Sequence, residues 1–253
     1  MNETRSLMRA LNILDLYTMD HAEIGVTEAA QRLQLSKGTV SRLMYTLEAA
    51  NFLKKTNETK KYVLGSKFIK LSRVCLSKVD LKNAAAPYLK ELSEKTNELI
   101  LIHVIRGDKR FCLDWIESTN PIRHVIEKGH VYAPLHAGAA GKLLLSSLSD
   151  TEIDQVIQRT GLPRFSDTTI TDYNKLKLEI KQIREQGIAI SHGEIVPHAS
   201  TVSAPVRNWS REVIAALSIS WLVMDDNDGN KSLVYPDMVR ESANRLSQDL
   251  GYL

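Results

Sequence analysis

Residues 27–53 read TEAAQRLQLSKGTVSRLMYTLEAANFL, and their apolar residues recur with the period of an α-helix in two separate segments. The link between the segments is short and consists of Gln34-Leu35. Thr27 is a candidate N-cap for the first segment, and Ser36 is a candidate N-cap for the second. Two short helices joined by a turn of about three or four residues form a helix-turn-helix. The pattern therefore predicts a helix-turn-helix over about residues 26–45.

The second of these helices, from Ser36 to about Ala50, has two chemically different faces. Its large apolar side chains share one face and are expected to pack inward: Val40, Leu43, Met44 and Leu47. The opposite face and its amino-terminal edge are polar and mostly small, and they supply the candidate DNA contacts Lys37, Gly38, Thr39, Ser41, Arg42 and Tyr45. The DNA major groove admits such a helix, and arginine is well suited to guanine O6 and N7. We therefore expect Arg42 to contact a base.

A short basic hairpin is predicted after this helix. Residues 52–55 and 60–64 are β-prone runs around a polar turn. The lysines expected on its strands, where they would neutralise DNA phosphates, are Lys54, Lys55, Lys60 and Lys61. Three helices followed by this hairpin make a winged helix-turn-helix domain over residues 1–65, with the wing at 53–64. The alternative is a small helical domain with a solvated lysine loop.

The segments on either side of this unit are also helical by their period. A first helix is predicted to reach about Met19 and to bury the stripe Leu7, Leu11 and Leu14. Residues 66–80 are predicted to form a linker helix with the apolar stripe Phe68, Leu71 and Cys75. Cys75 is then expected to be a small buried apolar side chain.

Positive charge is concentrated in the first third of the chain. The 253 residues contain 33 Lys+Arg and 30 Asp+Glu, for a net charge of +3. Residues 1–75 hold 12 of the bases and 7 of the acids (+5), which leaves 21 bases and 23 acids (−2) in residues 76–253. This balance suits binding to a phosphate backbone, although a solvated surface would produce the same numbers.

Other features of the composition bear on the compartment. Two cysteines in 253 residues fit a reducing cytosol. The first residues lack the apolar core of a signal peptide. The longest nearly apolar run, residues 213–224, is shorter than the ~20 residues that span a bilayer. We therefore expect a cytoplasmic protein with no membrane partner.

Residues 81–253 are predicted to form an α+β domain around an antiparallel sheet, because strand pairs alternate with helices. The expected strands are residues 99–105, 111–116, 122–126, 188–191, 201–206 and 213–221. The expected helices are residues 80–97 and 143–148, one that starts at Ser149, one that ends at Gly187, and a last one striped by Val239, Ala243, Leu246 and Leu250. A sheet with helices packed against it leaves room for a pocket.

Two segments of this domain are candidates for a ligand site. Residues 137–141, between His136 and Lys142, are all Ala or Gly. Small residues at a helix start let an anion approach free backbone N–H groups, but close helix–sheet packing explains them as well. In the strand at 213–221, alternation places Ser218 and Ser220 on one face, where they would bind a carboxylate or face water. Both segments stay open on the residues alone.

The sequence contains no G-x-S-x-G, P-loop, G-x-G-x-x-G or H-E-x-x-H motif. Its histidines recur six apart, at 124, 130 and 136 and at 192 and 198, which is not zinc-site spacing. Cys112 lies on an apolar strand and is expected in the core. We predict no catalytic residue, cofactor or metal site, with a loop-built metal site near His136 or His192 as the open alternative. The alternatives are an enzyme in which residues 81–253 turn over a small acid, and an architectural DNA binder without a ligand.

The sequence resembles the IclR family of bacterial transcriptional regulators over nearly the whole chain. The matching stretches, in the family's order and spacing, are TEAAQRLQLSKGTVSRLMYTLEAANFL, YVLGSKFIKL, APLHAGAAGKLLL, REQGIAISHGE and SAPVRNWSREVIAALSIS. The resemblance implies a winged helix-turn-helix domain, a linker helix and a GAF-like domain that binds a small effector. It also implies homodimers formed through the amino-terminal helices, often paired into tetramers, on a pseudo-palindromic operator.

Carried over by position, the family's effector contacts fall on Ala139, Ala140, Ser191, Thr201, Ser218 and Ser220. Ser191 and Thr201 stand where a well-known member has an acid and a cysteine, so a glyoxylate-like ligand is not implied. The zinc of some members has no evident ligand set here. The resemblance thus implies a repressor whose operator binding responds to a small organic acid or sugar acid, with the linker helices coupling the two sites.

Overall fold

The computed structural model describes residues 4–18, 20–76, 80–123, 132–223 and 229–252. The chain divides between residues 79 and 80 into two compact units. Each unit has hydrophobic clusters of its own, so each is described by itself.

The first unit contains three helices, a two-stranded antiparallel hairpin and a fourth helix. The elements are α1 (Arg5–Leu14), α2 (Val26–Arg32), α3 (Lys37–Ala49), β1 (Leu53–Lys55), β2 (Tyr62–Leu64) and α4 (Lys67–Leu76). Ser36 caps α3 as predicted, because its Oγ accepts the N–H of Thr39 at 3.2 Å. The core is formed by side chains from the helices and the hairpin: Ile13, Ile24, Ala29, Ala30, Val40, Met44, Leu53 and Tyr62. The predicted winged helix-turn-helix fold is confirmed.

The predicted first helix is too long, and the predicted burial of its stripe is wrong at Leu7 and Leu11. α1 ends at Leu14, and Met19 lies outside the described residues. The side chains of Leu7 and Leu11 are 58% and 44% exposed, while Leu14 is half-buried. α1 packs into its own unit through Ile13 and the half-buried Leu14, while Leu7 and Leu11 point away from the core. Periodicity located an apolar face correctly but could not say what covers it.

Two details at the turns also differ from the predictions. Thr27 is not an N-cap, because α2 begins at Val26 and the Gly25 carbonyl accepts the first helical N–H, from Ala29, at 3.0 Å. Lys60 and Lys61 lie in the turn before β2 rather than on the strand. Lys60 has a left-handed backbone (φ +58°), which places it in the turn and not in extended pairing.

The connection from the wing into α4 is fixed by Gly65. Its N–H donates to the Phe52 carbonyl at 2.8 Å, and a Cβ at this position would lie 2.2 Å from the Asn51 carbonyl oxygen. Only glycine allows this approach of two backbones. Phe68 of α4 packs edge-on against Phe52, with ring centroids 5.5 Å apart.

The predicted burial of the linker stripe is wrong at Leu71. Leu71 is exposed, because one turn beyond Phe68 the helix no longer packs on the described core. The side chain of Cys75 and residues 77–79 lie outside the described part of the chain.

The second unit is built on a six-stranded antiparallel sheet with the order β5-β4-β3-β8-β7-β6. The strands are β3 (Leu99–Arg106), β4 (Lys109–Ile116), β5 (Tyr132–Pro134), β6 (Ala189–His192), β7 (Ala199–Arg207) and β8 (Val213–Leu222). The helices are α5 (Leu81–Thr96), α6 (Ala139–Ser146), α7 (Asp150–Thr160), α8 (Tyr173–Gln186) and α9 (Gly229–Asp249). The antiparallel α+β architecture is therefore confirmed.

The two faces of this sheet are covered by different helices. One face packs against α5 and α9 and contains Leu217, Ile219 and Trp221 of β8. The other face packs against α6, which is flanked by α7 and α8 in a second hydrophobic cluster. Alternation along β8 therefore directs Ser218 and Ser220 toward the side of the sheet on which α6 lies.

Most local signals in the second unit are confirmed. Asp80 caps α5, which continues through Pro87, and Ser149 forms a capping box with Glu152. α8 ends at Gly187, whose φ of +66° is left-handed. No helix within the described ranges is both long enough and apolar enough to cross a bilayer.

Three predictions in the second unit need correction or lie outside the described residues. α6 begins at Ala139 rather than at residue 143, because the small residues form its first turn. Ile122 and Arg123 are not in a strand, since Ile122 lies in a bend after β4 and Arg123 in irregular backbone, and residues 124–126 are outside the described ranges. β5 was not predicted, and it pairs with the start of β4 at the sheet edge.

Candidate functional sites

The exposed face of α3 is the first candidate site. Val40 and Met44 are fully buried, which turns Ser41, Arg42 and Tyr45 toward solvent. Lys37 and Gly38 are exposed at the start of the helix, and Thr39 is half-buried beside the Ser36 cap. No side chain described in the structure forms an ion pair with Arg42. A polar helix face with an unpaired guanidinium and no large obstructing side chain except Tyr45 fits the major groove.

The wing adds a basic edge to the same unit. Lys54 and Lys55 are exposed on β1, and Lys60 and Lys61 are exposed in the turn before β2. The ammonium group of Lys55 lies 5.6 Å from the ring centre of Tyr62. Among the residues described here, these four lysines form no ion pair, so their charges remain available to phosphates.

A group of paired hydroxyls forms the second candidate site, on the sheet of the C-terminal unit. Ser218 Oγ lies 2.7 Å from Ser203 Oγ, and Ser220 Oγ lies 2.9 Å from Thr201 Oγ1. The strand register aligns Ser191, Thr201 and Ser220 across β6, β7 and β8. Ser218 and Ser220 are buried, so the alternative that they face water is wrong. These hydroxyls are called the hydroxyl floor below.

The start of α6 lies against this floor, but its first N–H groups are already occupied. Ala139 N–H donates to Ser191 Oγ at 3.0 Å, and Gly138 N–H donates to Glu194 Oε2 at 2.9 Å. A Cβ on Gly141 would lie 2.9 Å from the Leu135 carbonyl oxygen, so close packing explains at least one of the small residues. Protein side chains thus satisfy two N–H groups of this helix start, those of Gly138 and Ala139, so these two are not free for an anion.

Glu194 is held in place by a buried lysine. Lys142 is 1% exposed, and its Nζ donates to Glu194 Oε1 and to Glu179 Oε1, both at 2.6 Å. A third contact, to the Ile190 carbonyl, measures 3.3 Å. The carboxylate of Glu194 thus bridges the ammonium group of α6 to the N-terminus of the same helix. The Glu194 carboxylate therefore occupies the position at the N-terminus of α6 where a bound anion would otherwise lie.

A second cation, the half-buried Arg110 with its buried Nε, lies at the edge of the same region. Arg110 of β4 approaches His103 of β3, with Nη1 3.4 Å from Nε2. His103 is 2% exposed, and burial followed by the neighbouring guanidinium lowers its pKa well below the usual value. Burial lowers the pKa of Arg110 to about 10. Arg110 Nη2 would lie 3.9 Å from a Cβ on Gly138, so the guanidinium reaches the N-cap of α6.

Cys112 and the histidines complete the set of candidate reactive groups. Cys112 is buried opposite His103, and burial raises the pKa of its thiol to about 12, so the thiol is neutral. No group of three His, Cys, Asp or Glu side chains in the described ranges is arranged to hold a metal. His124 and His130 lie outside those ranges.

Two family models match this chain, one over the helix-turn-helix of the first unit and one over the C-terminal unit. The IclR helix-turn-helix domain matches residues 6–56, and the C-terminal domain of the bacterial transcriptional regulator IclR matches residues 74–248. The chain belongs to the IclR family. The first match covers α1 to β1 and includes the exposed face of α3, so the first unit is the DNA-binding part of a transcriptional regulator.

Relatives in this family match over almost the full length. The HTH-type transcriptional regulator XynR of Escherichia coli K12 is 29% identical over 248 residues, which cover 98% of each chain. The HTH-type transcriptional repressor AllR of the same strain is 25% identical over 247 residues, which cover 98% of this chain and 90% of AllR.

Solved structures of IclR-type regulators share the fold. One from Silicibacter sp. TM1040 has a TM-score of 0.87 at 24% identity and covers 99% of this chain and 97% of its own. An IclR homolog from Microbacterium hydrocarbonoxydans in complex with 4-hydroxybenzoate has a TM-score of 0.60 at 20% identity and covers 97% of this chain and 98% of its own.

The IclR-type fold brings together the residues carried over from the resemblance. Ala139, Ser191, Thr201 and Ser220 are linked by hydrogen bonds and strand register, and Ser218 lies next along β8. Ala140 follows Ala139 in α6 and is buried. Sequence reasoning missed two pairs, Lys142 with Glu194 and His103 with Arg110. The only available signal was a charged residue within an apolar segment, as in AAGKLLL.

Proposed function

We propose that this IclR-family chain is a cytoplasmic repressor that binds a pseudo-palindromic operator as a homodimer. We further propose that a small organic acid or sugar acid, bound in the C-terminal unit, controls its affinity for the operator. The exposed polar face of α3 is the observation that carries this proposal. The proposed domains are residues 1–65 for DNA, 66–80 for the linker and 81–253 for the effector.

In this proposal α3 enters the major groove and the wing contacts phosphates. The groove contacts are Lys37, Gly38, Thr39, Ser41, Arg42 and Tyr45, and the phosphate contacts are Lys54, Lys60 and Lys61. Support comes from the exposure of Arg42 and from the open space around Gly38, where a Cβ would meet no atom within 4 Å. Close approach of the helix start to DNA is thus sterically free within the unit.

The dimer proposal rests on α1. Leu7, Met8 and Leu11 form an exposed apolar stripe on a helix that uses Ile13 for its own core. A second copy of the chain would bury this stripe, and a two-fold axis would match the symmetry of the operator. A tetramer made of two such dimers is the larger assembly that the resemblance implies. Sedimentation analysis separates these states.

The effector proposal rests on the hydroxyl floor and the start of α6. Ala139, Ala140, Ser191, Thr201, Ser218 and Ser220 are the proposed contacts. Buried, paired hydroxyls provide donors and acceptors for an oxygen-rich ligand. The homolog from Microbacterium hydrocarbonoxydans was solved with 4-hydroxybenzoate, a small acid, which supports a ligand of this class here. A typical coupling of about 1–3 kcal/mol would change operator affinity about 5- to 150-fold.

We also propose that the protein binds the acid as an effector and does not convert it chemically. One serine does contact a histidine: Ser200 Oγ lies 2.9 Å from His192 Nδ1. However, Ser200 is 2% exposed, and no carboxylate of the described residues bonds the His192 ring to orient it as a general base. The neutral thiol of Cys112 is likewise a poor nucleophile.

A gel-shift experiment tests the proposed function. Labelled DNA from upstream of the gene is titrated with protein at low salt, with and without a set of acids that includes gluconate, glycolate and 4-hydroxybenzoate. We expect nanomolar binding to this DNA, with an affinity that one class of acid changes at least 5-fold. Equal binding to random DNA would contradict the operator proposal. An unchanged affinity with every acid, together with recovery of a converted acid, would favour the enzyme alternative.

A further inference from the structure

His103, which is buried, and Arg110, which is half-buried, are called the donor pair below, and each has one buried nitrogen without an acceptor among the described residues. Within the described part of the chain, Arg110 Nε and His103 Nδ1 are buried and have no hydrogen-bond partner. Among the described residues, the Arg110 guanidinium has one hydrogen-bond partner, His103, at 3.4 Å. Buried polar atoms in native proteins are nearly always bonded, so two adjacent exceptions need a physical reason.

The chemistry of the contact defines what is missing. A guanidinium has only donors, so His103 Nε2 must accept from Arg110 Nη1. The proton of the neutral imidazole is then on Nδ1, which is a donor without an acceptor. Arg110 Nε–H is a second such donor. The missing partner is therefore an acceptor, and beside a cation the favoured acceptor is an anion.

The charge of Arg110 also lacks a direct counter-ion. The carboxylate in its vicinity, Glu194, is bonded to Lys142 Nζ and to the Gly138 N–H, and it forms no ion pair with Arg110. Removing a cation from water without an ion-pair partner is costly. A ligand anion bound at Arg110 would supply the partner that the described protein groups do not.

We propose that the donor pair binds the carboxylate group of the effector acid, with Arg110 as its counter-ion. The inference rests on the proposed function, in which a small acid occupies the C-terminal unit. The planar fork of arginine matches a carboxylate with two parallel hydrogen bonds. The hydroxyl floor then contacts the remainder of the acid, because Ser218 neighbours His103 diagonally across β3 and β8.

The donor pair is a different carboxylate position from the backbone N–H groups at the start of α6, which the small residues 137–141 had suggested. Glu194 already accepts the Gly138 N–H and Ser191 accepts the Ala139 N–H, so an incoming carboxylate does not need these donors. Arg110 reaches toward Gly138 from β4 and presents a charge at the same end of α6. Neither residue of the donor pair is among the six positions carried over from the family.

The test compares Arg110→Gln with a control at another arginine of the same unit. Arg159 is bound to Asp108 by two hydrogen bonds of 2.7 and 2.8 Å and is largely exposed, so Arg159→Gln removes one guanidinium without touching the donor pair. The probes are gluconate, glycolate and 4-hydroxybenzoate, with 4-hydroxybenzamide as a neutral analogue and sulfate as an anion of different shape. Melting temperature and calorimetric affinity are measured on the full chain.

We expect at least one acid to stabilise the wild type and R159Q, and neither the amide nor sulfate to do so. R110Q should bind that acid about 10- to 100-fold more weakly, as expected when a hydrogen bond to a charged group is lost. R110K, which keeps the charge without the fork, should lie between them. R110Q that binds the acid as tightly as the wild type overturns this inference and leaves the proposed function intact.

Two other outcomes separate the remaining cases. If no acid stabilises the wild-type protein, the effector part of the proposed function is wrong, and this inference is wrong with it. If R110Q does not fold, R110K decides, because unchanged affinity in R110K overturns the bidentate contact. A response of the wild type to sulfate equal to its response to the acids would show a general anion site and overturn the carboxylate assignment.

Discussion

Lys142 Nζ lies 2.6 Å from Glu194 Oε1, and both side chains are more than nine-tenths buried. The other oxygen of Glu194 accepts the Gly138 N–H, so one carboxylate joins the side chain of α6 to the start of its backbone. The pair therefore fixes the position of α6 over the hydroxyl floor. Its removal should disturb the C-terminal unit as a whole.

Lys142→Met should destabilise the C-terminal unit by about 3–5 kcal/mol, because it leaves the buried Glu194 carboxylate without its cation. Urea unfolding of the wild type and the variant measures this difference. The double variant Lys142→Met with Glu194→Gln should recover part of the loss, since the fully buried charge of Glu194 is then gone and only the half-buried Glu179 carboxylate lacks its cation. If Lys142→Met alone were as stable as the wild type, the buried Glu194 carboxylate would not depend on Lys142 for its charge compensation.

Arg42→Ala should weaken binding to the cognate operator by about 1–3 kcal/mol and should affect random DNA much less. The reason is that a base contact carries sequence information, whereas a phosphate contact does not. Fluorescence anisotropy on both DNAs provides the measurement. Arg240→Ala, which removes an arginine paired with Asp237 in α9, serves as the control. Equal losses on both DNAs would reduce Arg42 to a phosphate contact.

Replacing both Lys60 and Lys61 with Gln should lower the slope of log affinity against log salt by about 1–2, because each phosphate contact contributes about 0.9. Binding is measured from 50 to 200 mM salt. The control exchanges two exposed lysines of the C-terminal unit, Lys90 and Lys181, for Gln. An unchanged slope in the wing variant would remove the wing from the DNA contact surface.

The groove helix and the wing were predictable from sequence because their signals are local. Ser36 caps α3 three residues from its partner, and Val40 and Met44 identify the buried face by helical period alone. The wing follows from two short β-prone runs around a turn. The left-handed backbone at Lys60, in contrast, has no local signal strong enough to place that residue outside the strand.

The parts that could not be predicted depend on distant residues. Lys142 and Glu194 are 52 positions apart, so their pairing appears only when β6 and α6 meet. His103 and Arg110 are closer in sequence, but their contact depends on the register of the β3–β4 hairpin, which pairs His103 with Cys112 and Ile105 with Arg110. The apolar stripe of α1 was predicted from its helical period. That period does not distinguish a face buried in the core of one chain from a face buried between two chains.

The combined variant Leu7→Glu, Leu11→Glu should turn the dimer into a monomer, because two carboxylates would have to be buried in an apolar interface. Sedimentation velocity at micromolar protein gives the species directly. Leu178→Glu, at an exposed leucine of α8, is the control and should leave the dimer intact. A dimeric α1 variant would place the dimer contact elsewhere, and loss of dimer in the control would locate it at α8.

The free energy of unfolding should fall as the pH is lowered below about 6.5, because His103 is held neutral in the folded state. The sign follows from its depressed pKa: between the folded and unfolded pKa values the unfolded chain binds more protons, so acid favours unfolding. One such histidine contributes at most about 1.4 kcal/mol per pH unit. Burial also lowers the pKa of His136, which adds a slope of the same sign.

His103→Gln isolates the contribution of His103, since glutamine does not titrate. Urea unfolding at intervals between pH 7.5 and 5 should give a shallower pH dependence for this variant than for the wild type. His21→Gln, at an exposed histidine of the first unit, provides the comparison and should keep the wild-type slope. If H103Q and the wild type had identical slopes, His103 would take up its proton equally in both states, and its burial as a neutral acceptor beside Arg110 would be refuted.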